Sequence, residues 1–236
     1  MRLAARDTAV VELMDDPACD LRLLERTYAQ FAVVNRLVSG WRRLYVRTLR
    51  PLLARPGRTG PAARPTLLDV GFGAGDIPLR LAAWARRDGL DLAVTAVDPD
   101  PRALAYVRRQ GTGTVEFRRA SSADLVAEGR RFDVVVSNHV LHHLDAGALQ
   151  DLLADSEQLA AGLALHNDLS RSALAYGAYG VATAPLARTS FLRTDGMLSI
   201  RRSHRPAELA GVRPGWTAEP LGPFRLVLRH EPGERS

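Results

Sequence analysis

The sequence predicts an α/β fold: a doubly wound, seven-stranded, mostly parallel sheet that ends in a C-terminal antiparallel hairpin. Two observations carry this prediction. From residue 66 onward, short apolar runs typical of strands alternate with amphipathic runs of about ten residues typical of helices, as expected for parallel strands joined by helical crossovers. After residue 214, two strand-like runs follow each other with no helix between them, which indicates a hairpin at one edge of the sheet.

The elements before the hairpin can be assigned in order. Residues 21–54 carry apolar side chains at helical spacing, with breaks expected at Gly40 and Pro51, and a loop rich in Arg, Pro and Gly follows at 55–65. Pro78 lies in the first turn of the next predicted helix, where proline is tolerated. Strands are predicted at TLLDV, LAVTAVD, TVEFRRA, DVVVS and GLALHND, and helices at IPLRLAAWARR, PRALAYVRRQ and GALQDLLADSEQLA.

The C-terminal part follows a different pattern. Residues 206–212 suit a short helix, and the runs GWTAEPL and FRLVLRHE suit two strands joined by a Gly-Pro turn. Apolar and arginine residues alternate in the second run, so one face of this strand is expected to be covered and the other exposed to water.

Composition excludes several kinds of chemistry. The chain has 236 residues, 46% of them hydrophobic, which is enough for a sizeable core in one domain. All 32 basic residues are arginine, so neither a lysine Schiff base nor a lysine phosphate clamp is possible. The single cysteine, Cys19, allows no disulfide within the chain.

Charge and hydropathy set expectations about partners and location. The net charge is +6 with a pI of about 10.3, but the arginines are spread along the chain in ones and twos, so a nucleic-acid partner is not expected. The first ten residues lack the apolar core of a signal peptide, and no run reaches the ~18 apolar residues of a membrane span. We therefore expect a cytoplasmic protein, a monomer or homodimer, with a small molecule as its partner.

A glycine-rich turn follows the first strand, in TLLDVGFGAGDIPLRLA. Glycines at 71, 73 and 75 permit positive φ and close approach of a ligand to the backbone, and the helix that follows offers free N–H groups. The spacing does not match the dinucleotide fingerprint G-x-G-x-x-G, because the third glycine comes one residue early. A phosphate loop would need a lysine. The turn is therefore either a cradle for a different ligand or a tight connection with no ligand.

The segment LLDVGFGAGDIP resembles motif I of the class I S-adenosylmethionine-dependent methyltransferases, and the resemblance continues over roughly residues 20–230. Asp98 ends the second strand, about 20 residues after the glycine loop, where that family places an acidic residue on the ribose hydroxyls. SSADL places Asp124 after the third strand, where the family usually contacts adenine. FDVVVSNHVLHHLD is similar to motif IV of the small-molecule branch, which implies a Rossmann-like methyltransferase fold.

The resemblance implies S-adenosylmethionine as the cofactor and S-adenosylhomocysteine as the product. It leaves three acidic residues with simpler alternative roles. Asp69 would sit near the cationic end of the cofactor or merely brace the loop, Asp98 would also suit a cap for the helix near Pro101, and Asp124 would also suit an exposed loop. The cofactor-binding residues predicted in this way are Asp69, Gly71, Gly73, Gly75, Asp98, Pro99, Asp124 and Asn138.

Histidines after the fourth and fifth strands are the candidates for catalysis, since an oxygen nucleophile has to lose its proton during methylation. His139, His143 and His166 compete for the role of general base. His139 and His143 are four residues apart and are expected to share a helical face, and His166 is expected at the rim of the sheet. The alternatives are a packing role for His143 and a loop role for His166; His142 is expected to be exposed.

A zinc site is the other chemistry that two histidines at this spacing allow. The sequence offers no obvious third ligand and contains no HExxH motif, so no metal is expected.

The predicted acceptor is a small, largely apolar phenol, quinone or polyketide-type metabolite, methylated on oxygen. Residues 1–60 are expected to form a helical cap over the substrate site, and residues 61–236 a cofactor-binding α/β domain with a lid insertion at about 171–205. This lid segment is apolar and carries tyrosines, as an apolar pocket requires. Methyltransferases that act on amino groups of bases often read Asn/Asp-Pro-Pro-Tyr/Phe in motif IV, and residues 137–140 lack the aromatic residue.

Three alternatives remain open from the sequence. The run YAQFAVVNRLVSGWRRLY is similar to the N-terminal part of quinone C-methyltransferases, which allows methylation on carbon. The basic pI allows an RNA methyltransferase. A protein that retains the cofactor fold but serves as a cyclase or regulator without methyl transfer would also keep the glycines and acidic residues.

Overall fold

The computed structural model describes residues 3–55, 64–186 and 189–233. Seven strands form one sheet in the order β3-β2-β1-β4-β5-β7-β6, with β1 to β5 parallel and β7 antiparallel to both β5 and β6. The α/β fold and the C-terminal hairpin predicted from the sequence are confirmed. The strands are β1 Thr66–Val70, β2 Ala93–Asp98, β3 Val115–Arg119, β4 Phe132–Asn138, β5 Ala160–Leu169, β6 Trp216–Gly222 and β7 Arg225–His230.

Helices cover both faces of the sheet. In chain order they are α1 Leu21–Val38, α2 Trp41–Leu44, α3 Arg50–Leu53, α4 Asp76–Arg87, α5 Pro101–Gln110, α6 Ser122–Ala127, α7 Ala146–Leu159, α8 Ala173–Ala182, α9 Leu192–Arg202 and α10 Pro206–Leu209. Each face of the sheet has its own hydrophobic core, and successive side chains of β4 enter them alternately. Val134 and Val136 belong to the core that α1, α4 and α5 cover, and Val135 belongs to the core that α6, α7 and α10 cover. None of the helices in the described residues has the length and apolar character to cross a membrane.

The predicted break at Pro51 is wrong. A π turn at Tyr45–Leu49 joins α2 to α3, and Pro51 falls in the first turn of α3, where its missing N–H costs little. Gly40 does interrupt the helical run: its φ of 74° is left-handed, and it precedes the first residue of α2. Most of the loop predicted at 55–65 lies outside the described residues.

The N-terminal segment is fastened to α9, beyond the sheet. The carboxylate of Asp195 accepts hydrogen bonds from the backbone N–H groups of Leu13 and Met14, at 2.8 and 2.9 Å. The N–H of Asp7 donates to the carbonyl of Arg201 at 3.1 Å, and the side chains of these two residues form an ion pair. These contacts place a short 3-10 helix, Leu13–Asp15, beside the carboxyl ends of the strands.

Candidate functional site

A cavity of about 860 Å³ lies at the carboxyl ends of the parallel strands, where open α/β sheets bind their ligands. Its floor comes from the loops after β1, β2 and β4, and its walls come from α1, the N-terminal 3-10 helix and α9. Among the residues predicted from the sequence, those that line it are Asp69, Gly71, Gly73, Asp98, Pro99, Asn138, His139 and His143. Gly75, Asp124 and His166 do not line it.

The three glycines of the loop have different structural roles. All have positive φ, of 75°, 50° and 75° in chain order. A Cβ on Gly71 would lie 2.6 Å from Val140, and one on Gly75 would lie 2.7 Å from Val107, so these two glycines permit close packing. A Cβ on Gly73 would meet no atom within 4 Å. The middle glycine therefore presents open backbone to the cavity, whereas Gly75 acts at the start of α4.

Asp98 holds this loop in place. Its Oδ2 accepts a hydrogen bond from the N–H of Gly73 at 2.9 Å, and its Oδ1 accepts one from the N–H of Asp100 at 2.9 Å. Asp100, not Asp98, caps α5 by accepting from the N–H of Arg102 at 2.7 Å. The alternative role of Asp98 as the helix cap is therefore wrong, and its buried carboxylate faces the cavity. Burial raises its pKa above the ordinary value.

Two further carboxyl groups face the same space. Asp69 is buried at the end of β1, and its Oδ1 has no hydrogen-bond partner among the described residues. Burial and the nearby charges of Asp76 and Asp98 raise the pKa of Asp69 well above its usual range. Asp76 accepts a hydrogen bond from Asn35 Nδ2 at 3.1 Å. Asp76 is partly buried and also pairs with Arg80 at 3.4 Å, so the buried carboxyl groups on this wall are those of Asp69 and Asp98. They favour a ligand that brings positive charge, and they disfavour a polyanionic dinucleotide.

Asp124 is used elsewhere. Its Oδ2 accepts hydrogen bonds from the N–H and the hydroxyl of Ser121, both at 2.8 Å, and its own N–H donates back to that hydroxyl at 3.2 Å. This capping box starts α6 on the protein surface. The structure gives no support to the predicted contact of Asp124 with adenine. It agrees with the alternative, in which Asp124 is an exposed residue.

His142 is buried, so the expectation that it is exposed is wrong. Its ring Nδ1 lies 2.7 Å from Asp168 Oδ1, and its backbone N–H donates to Asp168 Oδ2 at 2.9 Å. Its Nε2 lies 3.4 Å from Glu12 Oε1. Burial alone would lower the pKa of His142, but Asp168 and Glu12 outweigh it and raise the pKa to about 10. His142 is therefore a buried cation between two carboxylates.

His143 does not share a helical face with His139, because Leu141–His143 form a 3-10 turn and His139 has a φ of 62°. The His143 side chain is 29% exposed and lines the cavity. Its Nδ1 lies 3.2 Å from Asp15 Oδ2, and its Nε2 lies 3.9 Å from Glu12 Oε1. Asp15 thus orients the ring. Glu12 also supplies the third group that the sequence lacked, since ligand atoms of Glu12, His142 and His143 lie within 4.8 Å of one another.

His139 lines the cavity, but its Nε2 is engaged. Arg225 Nη1 lies 3.0 Å from this nitrogen, and because a guanidinium only donates, Nε2 is the acceptor. Burial and the charge of Arg225 lower the pKa of His139 well below its ordinary value. His139 is therefore neutral, and its basic nitrogen is already occupied.

His166 is not at the rim of the sheet, which corrects the prediction. It is buried between β5 and α7, where its Nδ1 contacts Ser137 Oγ at 2.7 Å and its Nε2 contacts Ser156 Oγ at 3.2 Å. Burial lowers its pKa to about 4. Both nitrogens are used inside the core, so His166 cannot reach a ligand in the cavity.

Comparisons with known proteins support this architecture. Residues 67–161 match the family model described as a methyltransferase domain. A ubiquinone biosynthesis O-methyltransferase of Cereibacter sphaeroides (strain ATCC 17025 / ATH 2.4.3) is 36% identical over 99 residues, which is 41% of this chain but only 37% of that protein.

Solved structures match over most of the chain. The plantazolicin methyltransferase BpumL, in complex with S-adenosylhomocysteine, has a TM-score of 0.59 at 12% identity, covering 90% of this chain and 95% of its own. An O-methyltransferase family protein from Burkholderia thailandensis has a TM-score of 0.61 at 17% identity, covering 92% of this chain and 61% of its own. Residues 67–161 therefore carry a methyltransferase domain, and the solved structures share its fold; both findings agree with the resemblance of the motifs to the class I S-adenosylmethionine-dependent methyltransferases.

Proposed function

We propose that this protein transfers a methyl group from S-adenosylmethionine to a hydroxyl oxygen of a small, largely apolar acceptor of the phenolic, quinone or polyketide type, and releases S-adenosylhomocysteine. The observation that carries the proposal is that one cavity combines two buried carboxyl groups, at Asp69 and Asp98, and the partly buried carboxyl group of Asp76 with a carboxylate-oriented histidine at its other wall. The O-methyltransferase relatives, matched over about a third of their length, point in the same direction.

The residues present fit the proposed cofactor. S-adenosylmethionine, when bound, supplies an electrophilic methyl group on a sulfonium sulfur and carries a second positive charge on its amino group. Asp69, whose Oδ1 has no hydrogen-bond partner in the described part of the chain, suits the cationic amino-acid end, and Asp98 suits the ribose hydroxyls. The open backbone at Gly73 allows close approach of this ligand. Pro99 and Asn138, which line the same cavity, complete the proposed cofactor side.

The remaining walls suit an apolar acceptor. Side chains from α1 and α9, together with Met14, supply apolar surface: Tyr28, Phe31, Val34, Leu192 and Ile200. Tyr179 of α8 is held by a hydrogen bond from its hydroxyl to the carbonyl of Leu192 at 2.7 Å. These contacts support the proposed cap, residues 1–60, and the proposed lid, at about 171–205, as the two segments that exclude water from the acceptor.

We assign the proton acceptor to His143. Asp15 accepts the Nδ1 hydrogen of this imidazole, so Nε2 carries the lone pair and takes the proton of the acceptor hydroxyl as the oxygen is methylated. The other histidines near the site are unsuited, since His142 is a cation with both nitrogens engaged and His139 accepts from Arg225. Positioning of the reacting groups supplies the rest of the rate enhancement.

The test is turnover with a defined acceptor panel. The purified protein is incubated with S-adenosylmethionine and phenols, hydroquinones and enolic polyketides, and S-adenosylhomocysteine is measured by mass spectrometry. We expect product only with an acceptor present, with the new methyl group on oxygen by carbon-13 NMR, and with no loss in EDTA. Three results would contradict the proposal. A methyl group on carbon would indicate a C-methyltransferase, and transfer to RNA would indicate an RNA methyltransferase. Cofactor binding without turnover on any acceptor would indicate a cyclase or regulator.

A further inference from the structure

One buried cation in the cavity has no carboxylate partner among the residues that the structure describes. Arg225, at the start of β7, is 4% exposed and lines the cavity. Its Nε donates to Asn167 Oδ1 at 3.0 Å, Nη1 to His139 Nε2 at 3.0 Å and Nη2 to Asn138 Oδ1 at 3.1 Å. All three partners are neutral. Within 4.0 Å, Arg225 forms no ion pair with a carboxylate of the residues that the structure describes.

Arg171 is a buried arginine with a structural role, and its hydrogen-bond partners can be compared with those of Arg225. It is 2% exposed and does not line the cavity. Its two terminal nitrogens bind the two carboxylate oxygens of Glu208, and it also donates to the carbonyls of Leu3, Ala4 and Ser203. Its charge is therefore balanced within the protein, as a buried charge requires, whereas the charge of Arg225 is not.

The guanidinium of Arg225 is held rigidly. Asn138 Oδ1 also accepts from Trp41 Nε1 at 2.9 Å, and Asn167 Nδ2 donates to the carbonyl of Ser39 at 2.8 Å, so both asparagine partners are fixed by groups beyond the sheet. Each terminal nitrogen of an arginine bears two hydrogens, and the contacts above use one on each. Two N–H groups of a preorganised fork remain for a ligand.

No group among the described residues neutralises this charge. Burial lowers the pKa of Arg225 to about 10, which still leaves the guanidinium charged at neutral pH. Asp168 is near enough to act on it electrostatically, but its oxygens are bound by His142 and by the N–H of Leu169. His139 is neutral. A ligand that brought a carboxylate would pair the buried charge at little ordering cost, and planar bidentate pairing is the geometry that arginine favours.

We propose that Arg225 is the binding site for a carboxylate carried by the acceptor, which makes the acceptor a hydroxy acid with an otherwise apolar body. This inference rests on the proposed function. The hydroxyl is presented to His143 and the carboxylate to Arg225, which line the same cavity from the turn after β4 and from the start of β7. The one other source of this chemistry is the amino-acid carboxylate of the cofactor, and the experiment separates the two.

The experiment compares each hydroxy acid with its carboxamide, as substrates of the wild type, Arg225→Gln and Arg225→Lys. We expect kcat/KM of Arg225→Gln to fall about 30-fold or more further for the acid than for the carboxamide, the size of a lost buried charge pair. Arg225→Lys keeps a charge but not the fork and should fall between. Arg229→Gln, on the same strand and paired with Glu231 at the surface, should retain the wild-type ratio.

Two outcomes would overturn the inference. Equal losses for acid and carboxamide would reduce Arg225 to a structural role, and a matching loss of S-adenosylhomocysteine affinity would assign the carboxylate to the cofactor. If no acceptor is methylated, the proposed function fails separately. In that case, calorimetry of the same acids and carboxamides binding to the S-adenosylhomocysteine complex still tests the carboxylate site. If Arg225 binds a carboxylate, the wild type should bind the acid more tightly than the carboxamide, and Arg225→Gln should lose this preference.

Discussion

We expect the replacement of His143 by Gln to lower kcat by about 10²–10⁴-fold, the typical contribution of a general base. The substitution keeps a side chain of similar length but removes the nitrogen that accepts the hydroxyl proton. The amide of the new side chain can still donate a hydrogen bond to Asp15. KM for the acceptor should change little, since the apolar walls are intact. The measurement is steady-state kinetics at saturating cofactor, with acceptors that differ in hydroxyl pKa.

The acceptor series separates proton transfer from positioning. An acidic hydroxyl, already ionised in solution, needs no base, so the loss in His143→Gln should shrink as the acceptor becomes more acidic. His166→Gln is the matched control, because His166 is buried away from the cavity between Ser137 and Ser156. An unchanged kcat in His143→Gln would contradict the assignment. Loss of a bound metal ion along with activity would instead make Glu12, His142 and His143 ligands.

We expect the replacement of Asp168 by Asn to lower the free energy of unfolding by about 3–5 kcal/mol at pH 6.5, the cost of breaking a buried ion pair. Asp168 accepts from the N–H and the Nδ1 of His142 and from the N–H of Leu169, so the neutral amide of the Asp168→Asn variant would leave the buried His142 cation with Glu12 alone. Urea titration followed by circular dichroism measures the change. Asp151→Asn, exposed on α7, is the control and should shift stability by less than about 0.5 kcal/mol.

The stability difference between the wild type and Asp168→Asn is expected to depend on pH, because both partners of the ion pair titrate. The pKa of His142 is raised from its ordinary 6.5 to about 10 in the folded protein, so the pair contributes fully below pH 6.5 and is lost as pH rises through 10. On the acid side, the pKa of Asp168 is held below its usual range, chiefly by His142 acting against the effect of burial, so its contribution is lost as pH falls below about 3.8. The stability gap between wild type and Asp168→Asn should therefore narrow from pH 6.5 to 10. A constant gap would contradict a charged His142.

The parts of the site that could be predicted from the sequence depend on local signals. Gly71, Gly73 and Gly75 sit between a buried strand and an amphipathic helix, and this order alone implies a turn at the edge of a parallel sheet. Asp98 ends the next strand, so the topology brings it to the same edge. Strand alternation and turn residues therefore suffice for the fold and for the loops after β1 and β2 that line the proposed cofactor side of the cavity, but not for Asp124, which caps α6 at the surface.

The partners of His143 and the role of Arg225 on the proposed acceptor side could not be predicted, because they depend on residues distant in the sequence. Glu12 and Asp15 lie about 130 residues before His142 and His143, and only the docking of the N-terminal segment on α9 brings them together. Arg225 follows the alternation of an ordinary edge strand, and it lines the cavity only because β7 pairs with β5. His166 stands out in the sequence as a histidine near a strand end, but its partners in the core take both of its nitrogens.

The proposed cofactor site depends most directly on the nucleoside lying against Asp98. Isothermal titration of S-adenosylhomocysteine into wild type, Asp98→Ala and Asp124→Ala tests this. We predict that Asp98→Ala weakens binding by ~1–3 kcal/mol, about 5- to 150-fold in Kd, because buried hydroxyls lose their acceptor, while Asp124→Ala binds like the wild type. No binding by the wild-type protein, or equal affinity for wild type and Asp98→Ala, would contradict this site.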